Sequence, residues 1–137
     1  MPIENTASDG LIKVLDFAAI QDIPLMTWMG WFFFDSVPSG SYVSLFDKTD
    51  ASVIGWALLF NDGAPAHAGD QAVQFFQQAS GTNGDWSTNS SFPSLSTWVH
   101  YAVSYDRTSL SNDPSIYIDG VSQSLETNIN PTGTIAT

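Results

Sequence analysis

Cysteine is absent from the 137 residues, which excludes both a disulfide framework and any thiolate site. Positive charge is nearly absent as well: Lys13, Lys48 and Arg107 stand against 14 Asp and Glu, a formal net charge of −11. Three cations cannot neutralise a phosphate backbone, so neither nucleic acid nor an anionic membrane surface is an expected partner. Charged residues make up 12% of the chain, against about 25% in soluble domains generally, so Ser, Thr, Asn, Gln and Gly must supply the polar surface. The longest apolar stretch, residues 28–34, is far too short to cross a bilayer as a helix. The opening Met1-Pro2-Ile3-Glu4-Asn5-Thr6 lacks the basic and apolar regions of a secretory signal, and synthesis in a cytoplasm is the expectation.

Aromatic residues are plentiful: five Trp, four Tyr and nine Phe, within a hydrophobic content of 43%. A chain of this length and composition buries one core and forms one domain. Short β-forming runs recur with turn chemistry between them, the pattern of an all-β sandwich or barrel. Such runs cover residues 11–16, 27–34, 42–46, 53–60, 71–77, 98–105 and 116–121. In residues 27–34 both alternating sets are apolar, Trp28, Phe32 and Phe34 on one side and Met29, Trp31 and Phe33 on the other. That predicts a strand covered on both faces. In residues 98–105, Val99, Tyr101, Val103 and Tyr105 share a face. Asp119-Gly120 between β-formers predicts a type I′ hairpin, because both positions tolerate positive φ. Pro38-Ser39-Gly40 and Asn61-Asp62-Gly63 read as turns, residues 80–94 as a long polar loop around Trp86, and residues 17–22 as a possible helical turn.

Three stretches in order resemble the laminin-G-like, concanavalin A-like lectin–glucanase superfamily. Met26-Thr27-Trp28-Met29-Gly30-Trp31-Phe32 is similar to that family's FTISAWV strand. Residues 96–106, STWVHYAVSYD, resemble GTWHHVAVTYD, and Ile116-Tyr117-Ile118-Asp119-Gly120-Val121 resembles LYVDGV. The resemblance implies an antiparallel β-sandwich of the jelly-roll type over residues 1–126. Residues 127–137 then read as a loosely structured tail or the start of missing strands. The IDEVRIY-like closing segment of such domains does not follow Glu126. A jelly roll lacking it has an open edge and an uncovered apolar face, so the expectation is either closing strands beyond this sequence or cover from a homo-oligomeric or other structural partner.

Candidate chemistry follows from few residues. Retaining glycoside hydrolysis needs two carboxylates about 5 Å apart. The glucanase branch places them on one strand, whereas Glu4 and Glu126 lie near opposite ends of this sequence. No nucleophile motif accompanies His67 or His100, and the chain is read as non-enzymatic, with no catalytic residue assigned. Asp62, Asp70 and Asp85, with Asp106 and Asp113, sit at strand ends or loops where oxygen ligands could converge on Ca²⁺, although Asp is equally the ordinary turn residue. Asn83, Asp85 and Trp86 offer an indole platform flanked by amide and carboxylate, the chemistry of sugar recognition. The alternative reading makes Trp86 a core residue. Trp28, Trp31 and Trp98 fall inside strand patterns and are expected in the core. The leading expectation is a structural or decorating domain of a phage or virus particle with glycan-binding capacity. The rival is a lectin-like, carbohydrate-binding module of a larger secreted protein.

Overall fold

The computed structural model describes residues 3–6, 11–14, 23–35, 42–49, 54–62, 71–89 and 95–135. Among them are eleven strands and no helix: β1 (Ile3–Thr6), β2 (Leu11–Val14), β3 (Leu25–Phe33), β4 (Tyr42–Thr49), β5 (Ile54–Asp62), β6 (Gln71–Gln77), β7 (Gly84–Thr88), β8 (Trp98–Asp106), β9 (Ser115–Ile118), β10 (Val121–Ser122) and β11 (Leu125–Ile129). All pairings are antiparallel. Strands β1 and β2 form a two-stranded hairpin, a four-stranded sheet runs β10-β9-β8-β3, and a five-stranded sheet runs β11-β7-β6-β5-β4. The expected turn at residues 38–40, the possible helical turn at 17–22, His67 and Asp70 all lie outside the described residues.

The two larger sheets face each other across a single core, as a β-sandwich requires. Val99, Tyr101, Val103 and Tyr105 are all buried, as the alternation of β8 predicts. They meet Trp56, Leu58 and Phe60 of β5, Val73 and Phe75 of β6, and Trp86 of β7. The aromatic rings interlock between the layers: Trp28 stacks on Trp56 at 4.4 Å between centroids, and Phe60 meets Tyr101 edge-on at 5.3 Å. Each such side chain contributes about 1.5–3 kcal/mol on leaving water, so this cluster is the main source of stability.

Several buried polar side chains are tied to the backbone. The Val73 amide donates to Thr88 Oγ1 at 3.1 Å, and Gln77 Nε2 donates to the Gly55 carbonyl at 2.5 Å. The hairpin at Asp119-Gly120 has φ of 48° and 77°, the two positive angles expected of a type I′ turn. Here the Asp119 carboxylate also accepts from the His100 amide at 2.8 Å, which pins the hairpin to β8.

Three expectations are corrected. Residues 84–88, read as loop, form β7 in the interior of the five-stranded sheet, between β6 and β11. Its Ser and Thr disguise it, yet Ser87 and Thr88 are buried. The tail is likewise built in: β11 pairs with β7, and the stretch beyond returns along residues 79–82 through Thr132 N to Thr82 O (2.9 Å) and an Ala79–Ile135 bridge. Finally, β3 is covered on one face only. Trp28 and Phe32 point into the sandwich, whereas Met29, Trp31 and Phe33 are 59%, 62% and 42% exposed.

Candidate binding face

The loop-based sugar site does not assemble. Trp86 has no exposed surface; its ring lies 5.2 Å from Tyr105 and 6.0 Å from Phe75, and its Nε1 donates to Asp113 Oδ1 at 3.2 Å. A Cβ at Gly84 would run into the Trp86 indole, so the glycine two residues before it makes room for the ring. An indole enclosed in this way presents no face to a sugar: Trp86 is a core residue. Asn83 is exposed but turned inward locally, its Oδ1 accepting from the Ala79 amide at 3.0 Å. Asp85 accepts from Gln74 Nε2 at 2.6 Å on the outer side of the five-stranded sheet.

Asp62 and Asp85 do not converge either, and Asp70 lies outside the described residues. In the strand registers Asp62 stands opposite Gln71, and Asp85 opposite Phe76, five residues farther along β6. At about 3.3 Å per residue this separates the two by roughly 16 Å along the sheet, so they cannot share an ion. Among the described residues no group of three His, Cys, Asp or Glu could hold a metal ion. Asp106 is engaged locally: Thr108 donates to it from both its amide (2.9 Å) and its hydroxyl (2.5 Å), and these bonds hold its carboxyl below the usual carboxylate range. Asp113 joins two elements, accepting from Trp86 at Oδ1 and from Asn128 Nδ2 at Oδ2, 2.9 Å away.

What the structure brings together instead is a row of aromatic side chains on the outer face of the four-stranded sheet. Alternation along β3 puts Leu25, Met29, Trp31 and Phe33 outward, and alternation along β8 puts Trp98 and His100 beside them. The register sets Phe33 against Trp98 and Trp31 against His100, with ring centroids 5.6 and 5.2 Å apart. Leu25 and Trp98 are 63% and 64% exposed. With aromatic side chains of about 150–250 Å² each, Leu25, Met29, Trp31, Phe33 and Trp98 together expose on the order of 500–600 Å². That reaches the upper end of the largest apolar patch on an ordinary monomer, where such patches are often functional.

Around the patch the chemistry is neutral or hydrogen bonding. Thr27 Oγ1 and Ser104 Oγ lie 3.3 Å apart across the strands, and half-buried Tyr117 neighbours Ala102. Near Leu25 the sheet has a shallow depression of about 280 Å³ lined by Met26, Thr27, Ser104, Tyr105 and Asp106. It is smaller than the roughly 300–1,000 Å³ of a small-molecule pocket, so a ligand of this face would lie across it rather than enter it.

Beneath this face sit two phenols with no hydrogen-bonding partner among the described residues, Tyr101 and Tyr105. Burial raises both, that of Tyr105 to about 12, with Arg107 opposing the rise and Asp113 and Asp106 adding to it. Asp119 adds to the rise at Tyr101. They remain neutral hydrophobic weight in the core.

Sequence reasoning assigned Trp31 and Trp98 to the core, and both lie outside it. The signal that could have placed Trp98 was the face of β8 that excludes Val99, Tyr101, Val103 and Tyr105. Compared with family models, with curated proteins and with solved structures, the chain shows no match.

Proposed function

We propose that the chain is a non-enzymatic contact domain, of the structural or decorating kind that a virus particle carries, and that it works through the open face of the four-stranded sheet. The observation that carries this reading is the row Met29, Trp31, Phe33 and Trp98, outward-facing on a rigid two-strand platform. Aromatic and methionine side chains are the residues that concentrate in the dry centre of interfaces, and charged ones are depleted there. Net charge elsewhere keeps the remaining surface from associating indiscriminately.

A second reading is supported by the same geometry: paired rings beside His100 fit the apolar face of a sugar, with the imidazole and the Thr27 and Ser104 hydroxyls as hydrogen-bonding groups. It makes the domain a carbohydrate-binding module. Trp98→Ser with His100→Ala separates the two readings, because both positions lie on the face. Titrating wild type and variant against a glycan array and soluble polysaccharides should show binding lost in the variant if the ligand is a sugar. No sugar binding by either, with attachment to the particle's protein shell lost in the variant, supports the structural reading. A variant that keeps every interaction of the wild type overturns the assignment of this face.

A further inference from the structure

The two larger sheets have four outer strands, and three are built in ways that discourage pairing with another chain. Strand β10 has two residues. Strand β11 is short, carries Glu126 and has an irregular register. Strand β4 carries Asp47 and Lys48 and two register breaks. Shortness, charge and bulges are the devices by which native sheets protect an edge. Strand β3 has none of them. It runs nine residues, pairs with β8 in unbroken register, contains neither charge nor proline, and among the described residues pairs with no strand on its other side.

We propose that β3 is a dimerisation edge, pairing antiparallel with β3 of a second copy about a twofold axis at Met29 and joining two four-stranded sheets into one of eight. This register pairs all nine residues and keeps inward residues inward and outward residues outward. It is also complementary in size. On the outer side Trp31 meets Thr27 of the second copy, and Leu25 meets Phe33. On the inner side Trp28 meets Gly30, and Met26 meets Phe32. Because a twofold interface is isologous, each of these unlike pairs occurs twice.

At the seam itself charge does not oppose this occupant. Two copies of a chain with net charge −11 repel, and β3 is a seam at which no carboxylate meets another. Nine residues a side is fewer than the roughly 20–30 of a standard interface, so the dimer belongs in the micromolar range and tightens as salt screens the repulsion. Pairing leaves the outward side chains in the open and sets two aromatic faces side by side. The inference goes beyond the contact reading and does not depend on it, since Trp98→Ser and His100→Ala lie on β8 and leave the β3 seam intact.

The chain's lack of cysteine makes the test clean. In the full chain Met29→Cys places two thiols opposite each other, with Cα atoms about 4.5–5.5 Å apart as in any directly opposed pair. That is within the range a disulfide spans. Thr27→Cys, equally on the outer side of β3, lies about 13 Å from its own copy in this register. Under mild oxidant Met29→Cys should form covalent dimer at least about tenfold faster than Thr27→Cys, and mixing Thr27→Cys with Trp31→Cys should yield the heterodimer. Sedimentation of the wild type should show a monomer–dimer equilibrium, and Met29→Lys, which sets like charges on the axis, should weaken it about tenfold. Met29 is exposed, so the lysine leaves the fold intact, as an unchanged circular dichroism spectrum would verify. Equal cross-linking at positions 27 and 29, or a wild type that stays monomeric at about 100 µM, where a micromolar dimer would be populated, overturns the proposal.

Discussion

The outer faces of the two sheets have opposite fates although the strands that make them look alike in sequence. In the five-stranded sheet the outward side of β5 is Ala57 and Leu59, and next to it stand Ala72 and Gln74 of β6 and Ser87 of β7; all five are buried. In the four-stranded sheet the outward side of β3 is Met29, Trp31 and Phe33, and these are exposed. Both strands are apolar on both sides, so an unbroken apolar pattern did not distinguish them. Position within the sheet does not distinguish them either, since β8 has a neighbour on either side and still exposes Trp98; side-chain size does. The outward residues of β5 are small or aliphatic and allow close cover; those of β3 are large, ring-bearing and suited to a partner.

The largest effect that would sharpen this contrast is Leu59→Asp. A carboxylate without a partner in a buried position should cost about 4 kcal/mol or more and unfold much of the population, measured by urea denaturation. The same change at Trp98 puts the charge in water and should cost less than about 1 kcal/mol. Equal losses at the two positions would erase the distinction between the faces.

Alkaline pH attacks the layer between them. An acid whose folded pKa is raised binds its proton more tightly in the folded state, so its contribution is intact below the unfolded value and is lost as pH rises through the folded one. For Tyr105 the window runs from about 10, the unfolded value, to about 12. The tyrosines' contribution should be flat below that window and fall within it, and absorbance at 295 nm should show Tyr101 and Tyr105 ionising together with unfolding.

Smaller effects come next. Asp113→Ala removes the acceptor of the Trp86 indole and of Asn128, and should lower stability by about 1.5–3 kcal/mol, as for hydrogen bonds to charged groups. Asp113→Asn, which keeps an acceptor, should recover much of it. Tyr101→Phe deletes a buried hydroxyl that no described residue satisfies. It should leave stability unchanged or raise it by up to about 1 kcal/mol.

The elements whose local chemistry and burial agree were legible in the sequence. Strand β6 occupies the residues its pattern indicates, β8 buries the face its alternation selects, and Asp119-Gly120 turns as its φ requirements demand. Strands β7 and β11 were not legible, because Gly84-Asp85-Trp86-Ser87-Thr88 and Leu125-Glu126-Thr127-Asn128-Ile129 are largely polar. Such residues become strand through pairing with neighbours that the sequence does not reveal. The same gap misplaced the tryptophans. Trp86, in a polar stretch, is enclosed by the core, while Trp31 and Trp98, in apolar stretches, alternate with the core-facing residues of β3 and β8 and so face outward. A β-strand's environment is set by what lies beside and above it, and neither is written in its own residues.

The five tryptophans allow the central contrast to be read without mutation. Hydroxyl-radical footprinting of the native chain, followed residue by residue by mass spectrometry, should modify Trp31 and Trp98, at 62% and 64% exposure, well before Trp56 and Trp86, at 5% and 0%. Trp56 and Trp86 should react only as the protein unfolds. Protection of Trp31 and Trp98 equal to that of Trp86 would contradict the open aromatic face on which this account rests.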